Sequence, residues 1–172
     1  TGWYTLSLHD ALPICGGAGM ILQAEPIVKA LESVDSGHKL LLSPRGNVLT
    51  NMKATALSQK EHLIFICGHY EGIDERVNNF IDEEISIGDY ILTGGELGAM
   101  VISDAAIRLL DEVISTESLD IESFDYHLLE YPQYTEPYDF RGYTVPTILY
   151  SGNHAAIRKW RLKESLRITR ER

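Results

Sequence analysis

The sequence has little cysteine, no long apolar run and no excess of positive charge. Its 172 residues include two cysteines, Cys15 and Cys67, which are too few for a disulfide framework. No apolar stretch approaches the roughly 18 residues that a membrane-spanning helix needs, and the segment LHDALPIC lacks the basic flank and the length of a secretory signal. These absences predict a cytoplasmic protein with no membrane partner, in which Cys67 is a small core residue.

Two common phosphate-binding motifs are also missing, namely G-x-G-x-x-G and the Walker lysine pattern. What the sequence has instead is two glycine-rich loops. The first, GHYEG at 68–72, follows the apolar run at 63–67, and the second ends at Gly94 and Gly95 before a predicted helix. Open α/β sheets bind ligands outside the carboxyl ends of their strands, and glycine lets the main chain approach a ligand closely. The layout therefore predicts a backbone cradle for a small cofactor.

Apolar periodicity predicts alternating strands and helices in the first two thirds of the chain. The run at 63–67 is continuously apolar, which indicates a strand buried on both faces. The alternation as a whole is typical of an α/β protein with a mostly parallel sheet. Helices are predicted at 24–34, within 47–59 and at 96–114; strands are predicted at 63–67, in 38–46 before a loop, and as two short pieces around Gly88.

Several apolar side chains are predicted to face the core. In the second glycine-rich segment these are Ile87, Ile91 and Leu92, which are interpreted as strand core. In the helix at 96–114 the helical spacing predicts a core-facing stripe. Its members are Leu97, Met100, Val101, Ile107, Leu110 and Val113.

The last third of the chain changes character. Residues 115–143 are acidic and aromatic, with Pro132 and Pro137 interrupting regular structure, and indicate an inter-domain linker. A helix capped by Asn153 is predicted to follow. From Arg158 to Arg172 seven basic and two acidic residues give +5, although the whole chain carries −10. This basic helix fits an electrostatic footprint for RNA and a solvated helix face equally well.

Six blocks, in this order and spacing, resemble the bacterial tRNA (guanine-N1) methyltransferases of the SPOUT superfamily. They are GGAGM at 16–20, SPRG at 43–46, GHYEGIDERV at 68–77, SIGDYILTGGE at 86–96, YPQYTEP at 131–137 and SGNHAAIRKWR at 151–161. One glycine-rich decapeptide would be weak evidence. Six ordered blocks make coincidence very improbable.

The resemblance implies an α/β fold whose mostly parallel sheet contains a deep trefoil knot, followed by the start of a small helical C-terminal domain. The knotted cofactor-binding domain is expected at 16–114, the linker at 115–143 and the tRNA-binding domain at 144–172. Residues 1–15 carry none of these six blocks, and we expect them to be a non-native stretch. We expect the upstream part of the α/β domain, and further helices after the basic one, to be missing from this sequence.

The function implied is transfer of a methyl group from S-adenosylmethionine to N1 of the guanine immediately 3′ of the tRNA anticodon, by a homodimer with a shared active site. Removing the N1 proton calls for a carboxylate base, and the charge that develops on the neighbouring carbonyl oxygen calls for a cationic donor. Motif alignment assigns these roles to Glu122, where the family has aspartate, and to Arg108. From the residues alone, the favoured interpretation of Glu122 is an exposed acid in the linker, and Arg108 could be a surface partner of Asp111 or Glu112.

The resemblance also implies three sets of binding residues. Glu71 matches a family glutamate linked to magnesium. Asn153, His154, Arg158, Lys159 and Arg161 are expected to contact tRNA. The cofactor pocket is expected to comprise Pro44, Gly46, Gly68, Tyr70, Ser86, Ile87, Gly88, Asp89, Tyr90, Ile91, Leu92, Gly94 and Gly95.

Two alternatives compete with this function. One is a truncated, catalytically inactive remnant that still binds the cofactor or RNA, which the altered acid at Glu122 suggests. The other is a metal hydrolase that uses His69, Glu71 and Asp74, although these residues lack a ligand pair at i and i+4.

Overall fold

A computed structural model describes residues 10–14, 18–114, 123–124 and 127–172. The chain divides into two compact units, Thr1–Val113 and Ile114–Arg172. The first carries a parallel sheet covered by helices, and the second is built along one long helix. None of the helices in the described ranges is long and apolar enough to cross a membrane.

The parallel sheet has three strands among the described residues of the first unit. β3 (His38–Val48) lies in the middle, with β4 (Leu63–Cys67) on one side and β5 (Glu83–Ser86) on the other. Both pairings are parallel, which confirms the predicted α/β class. β4 packs against the apolar clusters on both faces of the sheet, with Ile64 and Ile66 on one face and Leu63 and Phe65 on the other. The predicted packing on both faces is confirmed, although only Ile66 is fully buried. A short antiparallel pair, β1 (Asp10–Ala11) with β2 (Ile21–Leu22), precedes the sheet.

The two faces of the sheet carry separate apolar clusters. Successive residues of a strand point to opposite faces, so Leu41 of β3 packs on one side and Leu40 on the other. The Leu41 side is covered by α1 (Ala24–Ser33) and by the 3₁₀ helix η1 (Glu75–Phe80). The Leu40 side is covered by α2 (Asn51–Ser58) and α3 (Glu96–Ile107). The helices predicted at 24–34 and within 47–59 are thereby confirmed.

β3 carries a bulge at its carboxyl end. Leu42 and Asn47 both lie in register with Ile85 of β5, so residues 43–46 leave the ladder between them. The loop predicted in 38–46 is thus a bulge within a longer strand. Gly46 lies against the main chain of β5, and a Cβ added there would be 2.5 Å from the carbonyl carbon of Glu84. Glycine is therefore required at this position for the two main chains to meet.

The orientation and length of α3 differ from the prediction. The helix ends at Ile107, and its buried residues are Gly98, Ala99, Ile102 and Ala106. Small residues face the sheet because α3 packs closely on it: a Cβ on Gly98 would lie 3.1 Å from Leu42 Cδ1. The predicted core stripe is instead exposed, and it comprises Leu97, Met100, Val101, Ile107, Leu110 and Val113.

Polar groups tie the amino ends of the strands to α2. His38 Nε2 and Glu83 Oε1 are 2.7 Å apart, and Lys53 Nζ pairs with the other oxygen of Glu83. Partial burial alone would raise the pKa of Glu83, but the hydrogen bonds from Lys53 and His38 hold this pKa below its ordinary value. The carboxylate stays charged at neutral pH and links β3, β5 and α2.

The second unit is organised along α4 (His154–Glu171), which confirms the predicted basic helix. The side chain of Asn153 accepts a hydrogen bond from Ala156 N–H at 3.1 Å, so the predicted cap is also confirmed. Leu129 N–H donates to Thr169 Oγ1 at 2.8 Å, which joins the preceding segment to α4. Between them lie β6 (Asp139–Phe140), β7 (Tyr143–Thr144) and the 3₁₀ helix η2 (Thr147–Tyr150).

We expect Gly46→Ala to destabilise the protein strongly, because the added methyl group meets main-chain atoms of β5 that cannot rotate away. Overpacking of this kind costs about 1–3 kcal/mol or more. Gly98→Ala is the matched control, since its methyl group meets the flexible end of Leu42 and alanine favours helix by about 1 kcal/mol. Urea unfolding measures both. Equal free energies of unfolding for the two variants would contradict the close approach at Gly46.

Candidate cofactor cleft and catalytic residues

A cleft of about 690 Å³ opens at the carboxyl ends of β3, β4 and β5. Three segments form its walls: the bulge at 43–46, the first glycine-rich loop at 68–72 and the second loop at 87–95. All three follow directly from strands of one parallel sheet, so the sheet brings them together at one edge. This is the position at which the sequence predicts a backbone cradle.

Eleven of the thirteen residues expected to hold the cofactor line this cleft. The two that do not line it are Gly46 and Asp89. Gly46 contacts the main chain of β5, and the side chain of Asp89 is exposed. The lining residues among those expected are Pro44, Gly68, Tyr70, Ser86, Ile87, Gly88, Tyr90, Ile91, Leu92, Gly94 and Gly95.

The first glycine-rich loop is held by main-chain hydrogen bonds to the segment at 18–22. Glu71 N–H donates to Met20 O at 3.1 Å, and Leu22 N–H donates to Gly72 O at 3.0 Å. Gly19 has a φ of +87°, and a Cβ there would lie 2.5 Å from Glu71 Cγ. Two blocks that are about fifty residues apart in the sequence are therefore in direct contact.

The second glycine-rich loop turns on Ser86, which is buried. Gly88 N–H donates to Ser86 Oγ at 3.1 Å, and the same hydroxyl donates to Gly88 O at 3.2 Å. The chain does not continue as a strand after Ser86, so the second predicted strand piece is wrong. Ile87 packs against the core, whereas the Ile91 side chain is 78% exposed at the cleft, and the interpretation of Ile91 and Leu92 as strand core is also wrong. The glycine at 88, with a φ of +143°, turns the chain away from the sheet.

The two glycine-rich loops are joined to each other. Gly95 N–H donates to Gly68 O at 3.0 Å, and His69 and Gly94 form an antiparallel bridge. Above this bridge His69 Nε2 lies 2.5 Å from Glu96 Oε1. Partial burial would raise the pKa of Glu96, but hydrogen bonds from its own main-chain amide and from His69 hold this pKa below its ordinary value.

Cys67 lies behind this junction. Burial raises the pKa of its thiol to about 11, with a further contribution from the Glu96 carboxylate. The side chain is half-buried, so the thiol is an uncharged part of the packing, in keeping with the predicted core role.

A group of polar side chains at the cleft was not predicted from the sequence. It is formed by Arg45, Glu75, Asn78 and Glu84. Arg45 Nη2 lies 2.9 Å from Glu75 Oε2 and 3.2 Å from Glu84 Oε1, and Asn78 Nδ2 donates to the same Glu84 oxygen at 2.7 Å. These contacts join the bulge to η1 and β5. The separations along the chain, 30 and 39 residues for the two arginine contacts, leave no local pattern by which to recognise them.

Of the two residues expected to be catalytic, the structure describes only Arg108. Arg108 is the C-terminal cap of α3 and is partly buried; its main-chain N–H donates to Asp104 O at 3.2 Å. Glu122 lies outside the described residues. Its proximity to Arg108 and to the cleft stays a prediction.

The residues of the metal-hydrolase alternative do not converge. His69 pairs with Glu96, while Asp74 accepts from Arg76, whose side chain and main-chain N–H lower the pKa of that carboxyl group to about 2. Glu71 lines the cleft. Among the described residues there is no group of three or more His, Cys, Asp or Glu side chains that could hold a metal ion.

The residues expected to contact tRNA lie at the start of α4. Asn153, His154, Arg158 and Lys159 are exposed. Arg161 is partly buried instead, with its guanidinium group 4.6 Å from the centre of the Tyr131 ring. This cation–π contact joins α4 to the segment before it within the second unit. Contact of Arg161 with tRNA stays a prediction.

Comparison with known proteins agrees with the resemblance. The model of the family described as tRNA (Guanine-1)-methyltransferase TrmD matches residues 4–172. The tRNA (guanine-N(1)-)-methyltransferase of Carboxydothermus hydrogenoformans is 58% identical over 161 residues, which are 91% of this chain and 64% of that protein. The proteins of the same name from Streptococcus uberis and Geobacillus kaustophilus are 52% and 55% identical, over 93% of this chain and 68% of their own length.

This chain therefore spans about two thirds of the length of these relatives. The match to the family covers all of the described residues, including the three walls of the cleft and α4. The chain belongs to the tRNA (guanine-1)-methyltransferase family.

Proposed function

We propose that this protein transfers a methyl group from S-adenosylmethionine to N1 of the guanine immediately 3′ of the tRNA anticodon. The observation that carries the proposal is the cleft, because it gathers residues from three of the family's sequence blocks at one edge of the sheet. The names of the relatives supply the reaction class and the guanine N1 target. The fold supplies a place for the methyl donor.

The residues of the cleft fit S-adenosylmethionine. A volume of about 690 Å³ falls within the range of roughly 300–1,000 Å³ that is usual for cofactor pockets. Glycine-rich main chain at 68–72 and 94–95 can hydrogen-bond an adenosine group, and the exposed side chains of Ile91 and Leu92 offer it apolar surface. When bound, the cofactor supplies a methyl group on a positively charged sulfonium.

The chemistry left to the protein is proton removal and charge stabilisation. We assign the general base to Glu122, which would take the N1 proton of guanine, and the cationic donor to Arg108, which would hold the neighbouring carbonyl oxygen as it becomes negative. Arg108 lies directly after the exposed apolar face of α3. A shared active site at that face would bring the arginine to the substrate.

The role of Glu71 as a magnesium ligand also stays a proposal.

We also assign a trefoil knot to the first unit and a tRNA-binding role to the second. Membership of the family supports the knot, and in the structure Gly94 and Gly95 return to the side of Gly68 after the chain has crossed from β5. The exposed cations Arg158 and Lys159 on α4 suit phosphate contacts. The cytoplasm is the proposed location, because the proposed substrate is tRNA.

We further propose that the chain acts as a homodimer through α3. Four large apolar side chains on one side of this helix are exposed in the single chain: Leu97, Met100, Val101 and Ile107. A two-fold axis would place this face against itself, so that every apolar contact is made twice. The occupant of the face is thus a second copy of the same chain.

We expect Ile91→Lys to weaken S-adenosylmethionine binding about tenfold or more, because it removes apolar contact with the cofactor and adds a charge that repels the sulfonium. Met52→Lys is the matched control, since Met52 is 81% exposed on α2 and does not line the cleft. Isothermal titration calorimetry measures both. Unchanged affinity in Ile91→Lys would place the cofactor elsewhere.

We expect Glu122→Gln and Arg108→Ala each to slow methyl transfer by a factor of about 10²–10⁴, while S-adenosylmethionine affinity changes little. The assay follows labelled methyl transfer to an anticodon stem-loop with guanine 3′ of the anticodon, and a stem-loop with adenine there is the control. Cofactor binding by the unaltered chain without any transfer to the guanine stem-loop would favour the inactive remnant instead.

We expect Met100→Lys to convert the dimer to monomer, because a two-fold interface would bury both introduced charges. Sedimentation velocity at micromolar concentration checks this, with Met52→Lys again as the control. A chain that sediments as a monomer before any substitution would exclude the α3 interface.

A further inference from the structure

We propose that His69 and Glu96 form a latch that fastens the two glycine-rich loops together and positions Tyr70 at the mouth of the cleft. The latch rests on the proposed function, since it concerns the cleft assigned to S-adenosylmethionine. Neither residue is assigned a contact with the cofactor or with the substrate. They are positioning residues that act through the main chain of the loops.

The main chain alone joins the loops weakly. The contacts that the structure gives between them are the Gly95 N–H to Gly68 O hydrogen bond and the bridge of His69 with Gly94. Both involve glycine on at least one side, and glycine has the largest conformational freedom to lose. The His69–Glu96 pair, at 2.5 Å, adds a charged hydrogen bond between the first loop and the first turn of α3. It therefore anchors the loops to a rigid helix.

The absence of a side chain at Gly94 leaves room for the imidazole ring of His69. Its φ is not in the left-handed region, so its backbone conformation does not call for glycine. A Cβ at this position would instead lie 2.5 Å from His69 Cε1. The lack of a side chain at Gly94 is what lets the ring of His69 reach Glu96.

Tyr70 shows what the latch holds in place. Its φ of +59° lies in the left-handed region, which is costly for an aromatic residue and persists only where the surroundings enforce it. The residues on either side of Tyr70 are both fastened: His69 to Gly94 and Glu96, and Glu71 through its N–H to Met20 O. The Tyr70 side chain is 59% exposed and lines the cleft. Loss of the latch would remove the side-chain contact that holds His69, one of the two residues next to Tyr70.

The charges around the pair support this geometry. The hydrogen bond from His69 contributes to holding the pKa of Glu96 below its ordinary value, so the carboxylate is charged at neutral pH. An acidic group in the first turn of α3 also interacts favourably with the helix dipole. Because the thiol of the neighbouring Cys67 has a pKa of about 11, it carries no charge that would disturb the pair.

The test is a double-mutant cycle on S-adenosylmethionine affinity, measured by calorimetry on the whole chain. We expect His69→Ala and Glu96→Ala each to weaken binding about twofold to fivefold, the range expected when a half-exposed carboxylate loses its hydrogen-bond partner. The double variant should be no weaker than either single variant, because one interaction can be lost only once. His69→Gln should retain most of the affinity, since its amide can donate to Glu96 from a similar position.

A second measurement does not need the cofactor. Amide hydrogen exchange of Gly95 in the free protein, corrected for its intrinsic rate, reports whether the loops separate. His69→Ala and Glu96→Ala should lower the protection of Gly95, and His69→Gln should preserve it. Glu25→Gln, which breaks the exposed pair with Lys29 at 2.7 Å on α1, is the matched control and should leave Gly95 unchanged.

The two readouts separate failure of the latch from failure of the proposed function. If the unaltered chain does not bind S-adenosylmethionine, the proposed function fails, and the exchange of Gly95 alone decides the latch. If Gly95 protection is the same in His69→Ala and Glu96→Ala as in the unaltered chain, the latch is overturned. Additive losses of affinity in the double variant would overturn it as well.

Discussion

The constraint on which the rest of the structure depends is the contact between the main chains of β3 and β5 at Gly46. Because this position has no side chain, β3 can leave its ladder with β5 after Leu42 and rejoin it at Asn47. The four residues in between are lifted to the carboxyl edge of the sheet. There they face the loops that follow β4 and β5, and one wall of the cleft is made from a strand that would otherwise be continuous.

The sheet then sets the positions of the other walls. Leu40 and Leu41 anchor β3 to opposite apolar clusters, so the strand is fixed from both faces. β4 and β5 are parallel to it and end at the same edge, where glycine-rich segments follow both. The polar group around Arg45 and the pair of His69 with Glu96 join these walls by side chains. The parallel direction of the strands thus brings the walls of the cleft to one edge, and local polar contacts then join these walls.

The class of the fold and the two glycine-rich walls of the cleft could be predicted from short-range signals, whereas the wall at 43–46 was expected only from the family resemblance. Apolar runs mark the strands, and glycines followed by a helix mark the loops. The orientation of α3 could not be predicted in this way, because its buried face combines Ile102 with the small residues Gly98, Ala99 and Ala106, while most of its larger apolar residues face outward. Apolar periodicity alone predicts that the larger apolar residues of the helix face the core. Contacts such as Arg45 with Glu84 were likewise invisible, because they join residues far apart in the chain. The exposure of Ile91 differed from prediction because Gly88 turns the chain out of the sheet.

The half-buried thiol of Cys67 has a chemical consequence for a protein of this family. With a pKa of about 11, only about one molecule in ten thousand carries the thiolate at pH 7, since each pH unit changes the ratio tenfold. The thiolate is the form of cysteine that attacks electrophilic carbon. S-adenosylmethionine is such an electrophile, and Cys67 lies directly behind the junction of the loops proposed to hold it. Burial and the Glu96 carboxylate keep this sulfur protonated at neutral pH, so it stays in its unreactive form beside the proposed cofactor site.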